Sequence, residues 1–316
     1  MSTPRVSVVI PAFNAKKWIA EAIGSVLAQS FEDYEIVVVD DGSTDGTEQA
    51  LSNLIRSKQI RYFRQQNSGV SAARNRGVEE ARGELIAFLD ADDLFHPEKL
   101  RKQVALFDQH PDLGFVHSHF EKFADAGGDL GVRDMGQFRG RVYPAILQEW
   151  SALMALPTLM LPKQVFQRLG GFDESISWGE DIDLYFRITR EYAIDLVPEA
   201  LCRVRVHAAS ASASKLGSAE SFHRVLEKAL QADPSLSADF GRRAFANLYI
   251  NKAQNLLGEG GAPEMRAARE YARKALSYGS VSLAAWLTLL ASWIPQGLRA
   301  ALVGLVRRLR YPRQAG

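Results

Sequence analysis

Three carboxylates, Asp90, Asp92 and Asp93, fall within four residues, directly after the apolar run Leu85-Ile86-Ala87-Phe88-Leu89. Such crowding is repulsive unless a cation or a shared proton offsets it. Hard oxygen donors at the end of a buried strand suit Mg²⁺ or Mn²⁺, above all when the ion also carries substrate phosphates. The competing reading is a polar turn ahead of a helix entered at Pro97. Two further polar clusters also follow short apolar runs: Pro11-Ala12-Phe13-Asn14 and Asp40-Asp41-Gly42-Ser43-Thr44-Asp45. Later, Glu180 and Asp181 stand at the head of a helical pattern. There a carboxylate can serve the helix dipole or take a proton from an attacking hydroxyl.

The elements that must hold these groups are legible from periodicity. Residues 5–10 are β-branched and nearly continuous, as in a strand buried on both faces. Residues 17–28 repeat apolar side chains at helical spacing. A second strand spans 34–39, and Thr44 or Asp45 is placed to cap a helix reaching about Ser57. A third strand at 60–64 precedes a helix from Val70 to Glu80 that carries Arg74, Asn75 and Arg76, and the strand before Asp90 follows. Alternating strands and helices predict an α/β fold with a mostly parallel sheet, whose ligands bind at the carboxyl ends of the strands. The three polar clusters then share one edge. Beyond them the pattern predicts a strand at 114–123, a Gly- and Asp-rich loop at 124–140 over the site, and a strand within 150–161. After a sharp turn at 170–174 come a helix from Glu180 with Asp183 solvated, and a strand at 201–206 ending in His207.

These segments resemble family 2 glycosyltransferases of the GT-A fold. The resemblance rests on Val-Val-Ile-Pro-Ala-Phe-Asn at 8–14, Val-Val-Asp-Asp-Gly-Ser-Thr-Asp-Gly-Thr at 38–47, Asn-Ser-Gly-Val-Ser-Ala-Ala-Arg-Asn-Arg-Gly at 67–77 and Phe-Leu-Asp-Ala-Asp-Asp at 88–93. Gly-Gly-Phe-Asp-Glu at 170–174 and Trp-Gly-Glu-Asp-Ile-Asp-Leu at 178–184 match acceptor-side motifs. The resemblance covers about residues 5–210 and implies an inverting, metal-dependent transfer of one sugar from a nucleotide diphosphate donor, UDP-linked, to a hydroxyl of a glycan or lipid-linked glycan.

Position by position, it implies that Pro11, Phe13 and Asn14 line the nucleoside pocket, that Asp40 or Asp41 meets the base and that Ser43 meets the ribose or phosphate region. Arg74 sits where the family has a basic residue near the nucleotide, the alternative being a solvated helix position. Asp90-Ala91-Asp92 would serve donor and metal: Asp90 accepts from the ribose or a metal-bound water, and Asp92 holds Mn²⁺ or Mg²⁺. His207, closing an Arg-x-His segment, would meet the metal or diphosphate, with Ser210 and Ser212 near phosphate. Trp178, Gly179 and Glu180 fall on the acceptor side, and Asp181 is the general base.

Composition adds limits. The chain of 316 residues is 47% hydrophobic and 24% charged, as expected of a folded globular protein of one or two domains. Its net charge of +1 gives no case for nucleic-acid binding. After Glu270, however, seven basic residues occur and no acidic one. Residues 1–215 are read as the transferase domain and 216–316 as a helical appendage, including a helix pair at 244–257 and 263–277. Leu298, Leu302, Leu305 and Leu309 share a helical face opposite arginines, with Trp286 and Trp293 upstream. This pattern predicts a C-terminal helix lying on an anionic membrane, or else docked on protein. A strand near the N-terminus, the absence of signal-peptide features and a single cysteine, Cys202, predict a cytoplasmic protein, peripheral on the inner face of the membrane. No Gln/Arg-x-x-Arg-Trp segment follows Asp181, which disfavours a processive synthase. No Lys-bearing glycine-rich phosphate loop marks a nucleotidyltransferase. The remaining alternative is a non-catalytic nucleotide- or glycan-binding relative.

Overall fold

Strand β1 (Val6–Ala12) is buried along its whole length because it has a strand on each side and a helix packed across it. It pairs in parallel with β2 (Tyr34–Asp40) and with β4 (Leu85–Phe88), and β2 pairs in parallel with β3 (Arg61–Arg64). This all-parallel half explains the unbroken Val and Ile runs, since neither face meets water. A computed structural model describes residues 3–133, 138–149, 155–207, 218–257, 261–279 and 283–294.

The helices that return the chain between these strands are α1 (Ile19–Leu27), α2 (Thr47–Arg56) and α3 (Val70–Glu80). α1 buries Ile19, Ala22, Ile23 and Val26 at the spacing expected of one apolar face. α3 packs closely on β1 through Gly77, where a Cβ would lie 2.3 Å from Val9 Cγ1. Glycine there lets the helix sit low enough for Arg74, one turn earlier, to reach the end of the sheet. Gly46, and not Thr44 or Asp45, holds the N-cap position of α2, although Asp45 Oδ1 still accepts from the Thr47 amide at 2.9 Å.

Past β4 the sheet changes direction. β8 (Met160–Pro162) runs antiparallel to β4 and to β6 (Phe115–Ala124), while β6 runs parallel to β9 (Ile194–Val206). β9 ends the path against the two-residue β5 (Leu94–Phe95), so the order is β3-β2-β1-β4-β8-β6-β9-β5. The 124–140 segment is only partly the loop that its glycines suggest. Gly127 and Gly128 adopt positive φ and turn the chain back as β7 (Asp129–Arg133), which pairs with β6. Within 150–161, the described residues form a short 3₁₀ turn at Leu156–Thr158 that leads into β8; positions 150–154 lie outside the described residues. Three more helices complete this part: α4 (Lys99–Gln109), α5 (Lys163–Arg168) and α6 (Glu180–Glu191).

The chain divides into two compact units, Met1–Tyr143 with Ala152–Ser210, and Pro144–Ser151 with Ala211–Gly316. The described part of the second is helical: α7 (Ser218–Ala232), α8 (Ala238–Leu257), α9 (Ala262–Ser277) and α10 (Leu283–Ala291). Ala244, Leu248, Ala253 and Leu256 of α8, and Ala268, Ala272 and Ala275 of α9, are buried, and the small side chains allow close helix packing. No described helix is long and apolar enough to cross a membrane. Leu298, Leu302, Leu305 and Leu309 lie outside the described residues, as do Ser210 and Ser212.

Candidate active site

Because β1, β2 and β4 are parallel neighbours, the segments after them emerge side by side. The first two are also bonded to each other. Asp41 N donates to the Ala12 carbonyl at 2.8 Å, Asn14 N donates to Ser43 Oγ at 2.8 Å, and Thr44 N donates to Asn14 Oδ1 at 2.9 Å. Asn14 holds φ 49°, a left-handed conformation that asparagine tolerates better than most residues. Pro11 is buried in β1, and Phe13 projects with 54% of its surface exposed. Asp40 and Asp41 are both buried and both act on the chain itself. Asp40 accepts from Ser43 N at 2.7 Å and from the Tyr62 hydroxyl at 2.5 Å. Asp41 accepts from Gln65 Nε2, Ser68 N and Gly69 N, each at 2.8 Å, and so fixes the entry to α3.

Arg74 is the hub of the site and is no solvated helix residue. Its side chain is 6% exposed; Nη2 donates to Asp90 Oδ1 and Nη1 to Glu180 Oε1, both at 2.7 Å. The guanidinium also lies over the Phe172 ring, 5.5 Å from its centroid. The structure thus joins the carboxylates after β4 to those that open α6. Asp181 is half-buried in the same field and accepts the Ile182 amide at 2.8 Å. Desolvation and then repulsion from Glu180 push its pKa up to about 7, against the pull of Arg74.

The turn before α6 is clamped from two sides. Asn75 Nδ2 donates to the Phe172 carbonyl at 3.0 Å, and Asn75 Oδ1 accepts the Phe172 amide at 2.9 Å. Gly171 has φ 67°, and a Cβ there would meet Asn75 Oδ1 at 2.7 Å, so only glycine fits. Arg187 donates to the Leu169 and Gly171 carbonyls at 2.6 and 2.7 Å, and Asp183 binds its guanidinium at 2.7 Å. Asp183, expected to be solvated, is 3% exposed. Its charge is compensated one helical turn away, which is why it tolerates burial. Trp178 is half-buried just before Gly179 and Glu180.

On the far side of Asp90, the acidic loop is crowded. Asp90, Ala91 and Asp92 are half-buried, whereas Asp93 is buried. Burial and the Asp90 charge raise the Asp92 pKa, with His207 opposing. Burial, then Asp90 and Asp92, raise the Asp93 pKa well above the usual carboxylate range. His207 Nε2 lies 2.9 Å from Asp92 Oδ2, and its ring stacks on Trp18 with centroids 4.2 Å apart. Among the described residues, no group of three or more His, Cys, Asp or Glu side chains is arranged to hold a metal.

A sequence model described as glycosyl transferase family 2 matches residues 7–155. An uncharacterized glycosyltransferase of Rickettsia typhi is 31% identical over 227 residues, covering 71% of this chain and 70% of the relative. The chain belongs to glycosyltransferase family 2. Another uncharacterized glycosyltransferase, from Rickettsia felis, is 38% identical over 202 residues, or 64% of this chain, but the chain spans only 33% of that relative's length. Among solved structures, S. aureus TarS 1-349 in complex with UDP-GlcNAc has a TM-score of 0.67 at 19% identity, covering 98% of this chain and 92% of that one. Mannosyltransferase PcManGT from Pyrobaculum calidifontis, in complex with GDP-Man and Mn²⁺, has a TM-score of 0.60 at 20% identity, covering 99% and 89%. At those identities the likeness is one of fold, the GT-A arrangement of a mixed sheet flanked by helices.

Several groups that shape the candidate site were not singled out from sequence. Arg205 is buried at the end of β9; its Nε donates to the Asp92 carbonyl and its backbone N–H to Asp93 Oδ1, both at 2.8 Å. The same guanidinium reaches Glu21 at 2.5 Å and Asp125 at 3.4 Å. Trp18 Nε1 donates to Asp125 Oδ1 at 2.7 Å. The available signal was the Arg-x-His spacing itself: residues two apart on a strand share a face, so Arg205 points where His207 points.

Proposed function

We propose that the chain is an inverting glycosyltransferase that moves one sugar from a nucleotide diphosphate donor, UDP-linked, to a hydroxyl of a glycan or lipid-linked glycan. The observation that carries this reading is the Asp90–Arg74–Glu180 bridge, with Asp181 held at a pKa of about 7 beside it. A carboxylate near neutrality is matched to accepting a proton at physiological pH. In the proposed step the acceptor oxygen attacks the anomeric carbon as the bond to the diphosphate oxygen breaks, and Asp181 takes the hydroxyl proton. The anomeric configuration therefore inverts. Phe13, with Pro11 and Asn14, is read as the nucleoside wall, and Asp40 or Asp41 and Ser43 as the base and ribose side. Since both aspartates already accept bonds from the chain, the share left for a nucleotide is the outer lone pairs of Asp40 or Asp41.

The carboxylate set fits a divalent ion shared with substrate rather than an all-protein cage. Asp92 and His207 would hold Mn²⁺ or Mg²⁺, and a cation there would relieve the repulsion among Asp90, Asp92 and Asp93. Such an ion neutralises charge developing on the leaving diphosphate. Support for the donor class comes from neighbours of like fold that hold UDP-GlcNAc, and GDP-Man with Mn²⁺. The reading includes peripheral membrane contact through α10 and the basic tail. Leu283, Trp286, Leu290 and Trp293 recur at helical spacing and expose 63%, 53%, 57% and 64% of their surfaces.

Asp181→Asn tests the core of the proposal. Transfer should fall by roughly 10²- to 10⁴-fold, the range for a lost general base, and its rise with pH through about 7 should vanish while UDP affinity holds. Wild-type turnover in this variant, or a product of retained configuration, excludes the scheme.

A further inference from the structure

The first unit holds a cavity of about 550 Å³ at the sheet edge opposite the acidic loops. It opens at the amino ends of β1 and β4: Arg5 precedes β1, Arg82 and Glu84 precede β4, and Lys163, Gln164 and Gln167 come from α5. Since β1 and β4 are parallel, their other ends carry the candidate active site. The cavity therefore lies roughly a strand length, about 15–20 Å, from Asp90.

Its lining is unbalanced in charge. Arg5 is already matched, paired with Glu84 and with Asp108 Oδ1 at 3.0 Å. Arg82 is exposed and makes no ion pair among the described residues, although its backbone N–H donates to Glu35 at 2.5 Å. Lys163 Nζ donates to the Ala81 carbonyl at 2.6 Å, a neutral partner that leaves its charge uncompensated. Arg82 and Lys163 thus have no carboxylate partner among the described residues, although Arg5 with Glu84 and Asp108 carries one net negative charge nearby, and they stand beside the exposed Gln164 and Gln167. Phe107, Pro111 and Pro162 provide an apolar wall.

We propose that this cavity is a second binding site, for a compact organic phosphate. The phosphoryl group sits between Arg82 and Lys163, and its carbon skeleton lies against Phe107 and Pro162. The net positive charge of the cluster favours an anion. The forked donors of Arg82, the two remaining Lys163 protons and the two amides outnumber what a carboxylate can use, and suit three terminal phosphate oxygens. The volume falls within the ordinary range for small-molecule pockets. The site is separate from the proposed donor site and does not depend on the transfer reading.

The test titrates glucose 6-phosphate and inorganic phosphate into the full chain by calorimetry, with and without saturating UDP and Mn²⁺. Glucose 6-phosphate should bind more tightly than inorganic phosphate, and UDP should not displace it. Arg82→Glu should weaken it by about tenfold or more, the counterpart of losing charge-assisted hydrogen bonds, with UDP binding unchanged. Because Arg82 is exposed and makes no ion pair among the described residues, this variant should fold; Gln167→Glu provides a second, independent introduction of negative charge. The proposal is overturned by absent binding up to about 10 mM, by competition with UDP, by equal affinity for the two probes, or by indifference to both variants.

Discussion

Replacing Arg74 with methionine keeps most of the side-chain volume and removes the one cation that Asp90 and Glu180 share. Two charge-assisted hydrogen bonds of 2.7 Å disappear, each worth about 1.5–3 kcal/mol. Breaking a buried pair costs about 3–5 kcal/mol, but Asp90 is 32% exposed, so solvent screens part of what is left. A net loss of roughly 2–4 kcal/mol corresponds to a Tm fall of roughly 5–15 °C for a unit of this size. The sharper consequence concerns pH. Arg74 holds the Asp181 pKa down, against burial and Glu180, at about 7. Without it the carboxyl binds its proton more tightly, so the base form appears only at higher pH. The acidic limb of transfer should move up by about one unit, equivalent to about 1.4 kcal/mol. Activity lost at pH 7 should return in part at pH 9. Arg74→Lys, which keeps the charge without the fork, should shift the limb less. The assay is initial-rate transfer from pH 5.5 to 9.5, alongside thermal unfolding. A limb that stays in place in Arg74→Met, with turnover reduced equally at every pH, refutes the electrostatic link between Arg74 and Asp181.

Asp92→Asn should weaken UDP binding in Mn²⁺ by about tenfold or more, yet bind UDP at least as well as wild type in EDTA, because a repelling carboxylate is gone; equal affinities under all four conditions in calorimetry refute the metal assignment. Gly77→Ala sets a Cβ 2.3 Å from Val9 Cγ1 and should cost about 1–3 kcal/mol in chemical denaturation, with reduced transfer as Arg74 lifts away; an unchanged midpoint shows that α3 can move freely. Trp286→Ser combined with Leu290→Ser should reduce co-sedimentation with anionic vesicles by about tenfold and leave thermal stability nearly unchanged, because both side chains are more than half exposed. Binding to such vesicles that is equal in wild type and variant removes α10 from the membrane reading.

The edge that carries the candidate site was legible because parallel strands feeding successive helices leave their loops at one end, and each loop announced itself by an abrupt polar cluster. What stayed hidden depended on pairings between distant segments. β8 is three residues long, too short for a period, and only its antiparallel place between β4 and β6 brings the second half of the sheet beside the first. Asp183 reads as an exposed helix carboxylate until Arg187 is seen to be occupied with the Leu169 and Gly171 carbonyls. Trp18 reads as an apolar helix residue, although its indole N–H and ring face are set by Asp125 and His207, more than a hundred positions away.

The bond from Arg205 to the Asp92 carbonyl spans 113 residues of sequence, and it bears on how the chain is made. A ribosome that has released the chain as far as residue 155, where the match of the family sequence model to residues 7–155 ends, has delivered the loops after β1, β2 and β4. It has delivered neither Glu180, Asp181, Arg205 nor His207. The nascent sheet then lacks β8 and β9, and Asp92 and Asp93 stand without Arg205 behind them and without His207 in front, while Arg74 can already reach Asp90. Contacts of such long sequence separation form late and slowly. The emerging domain therefore passes through a stage in which the parallel half of the sheet is complete in sequence but its acidic loop is restrained from the Arg74 side alone. β9, the last strand in sequence among the described residues, both extends the sheet and adds the Arg205 and His207 contacts to that loop, so a polypeptide cut short before β9 lacks this part of the candidate site.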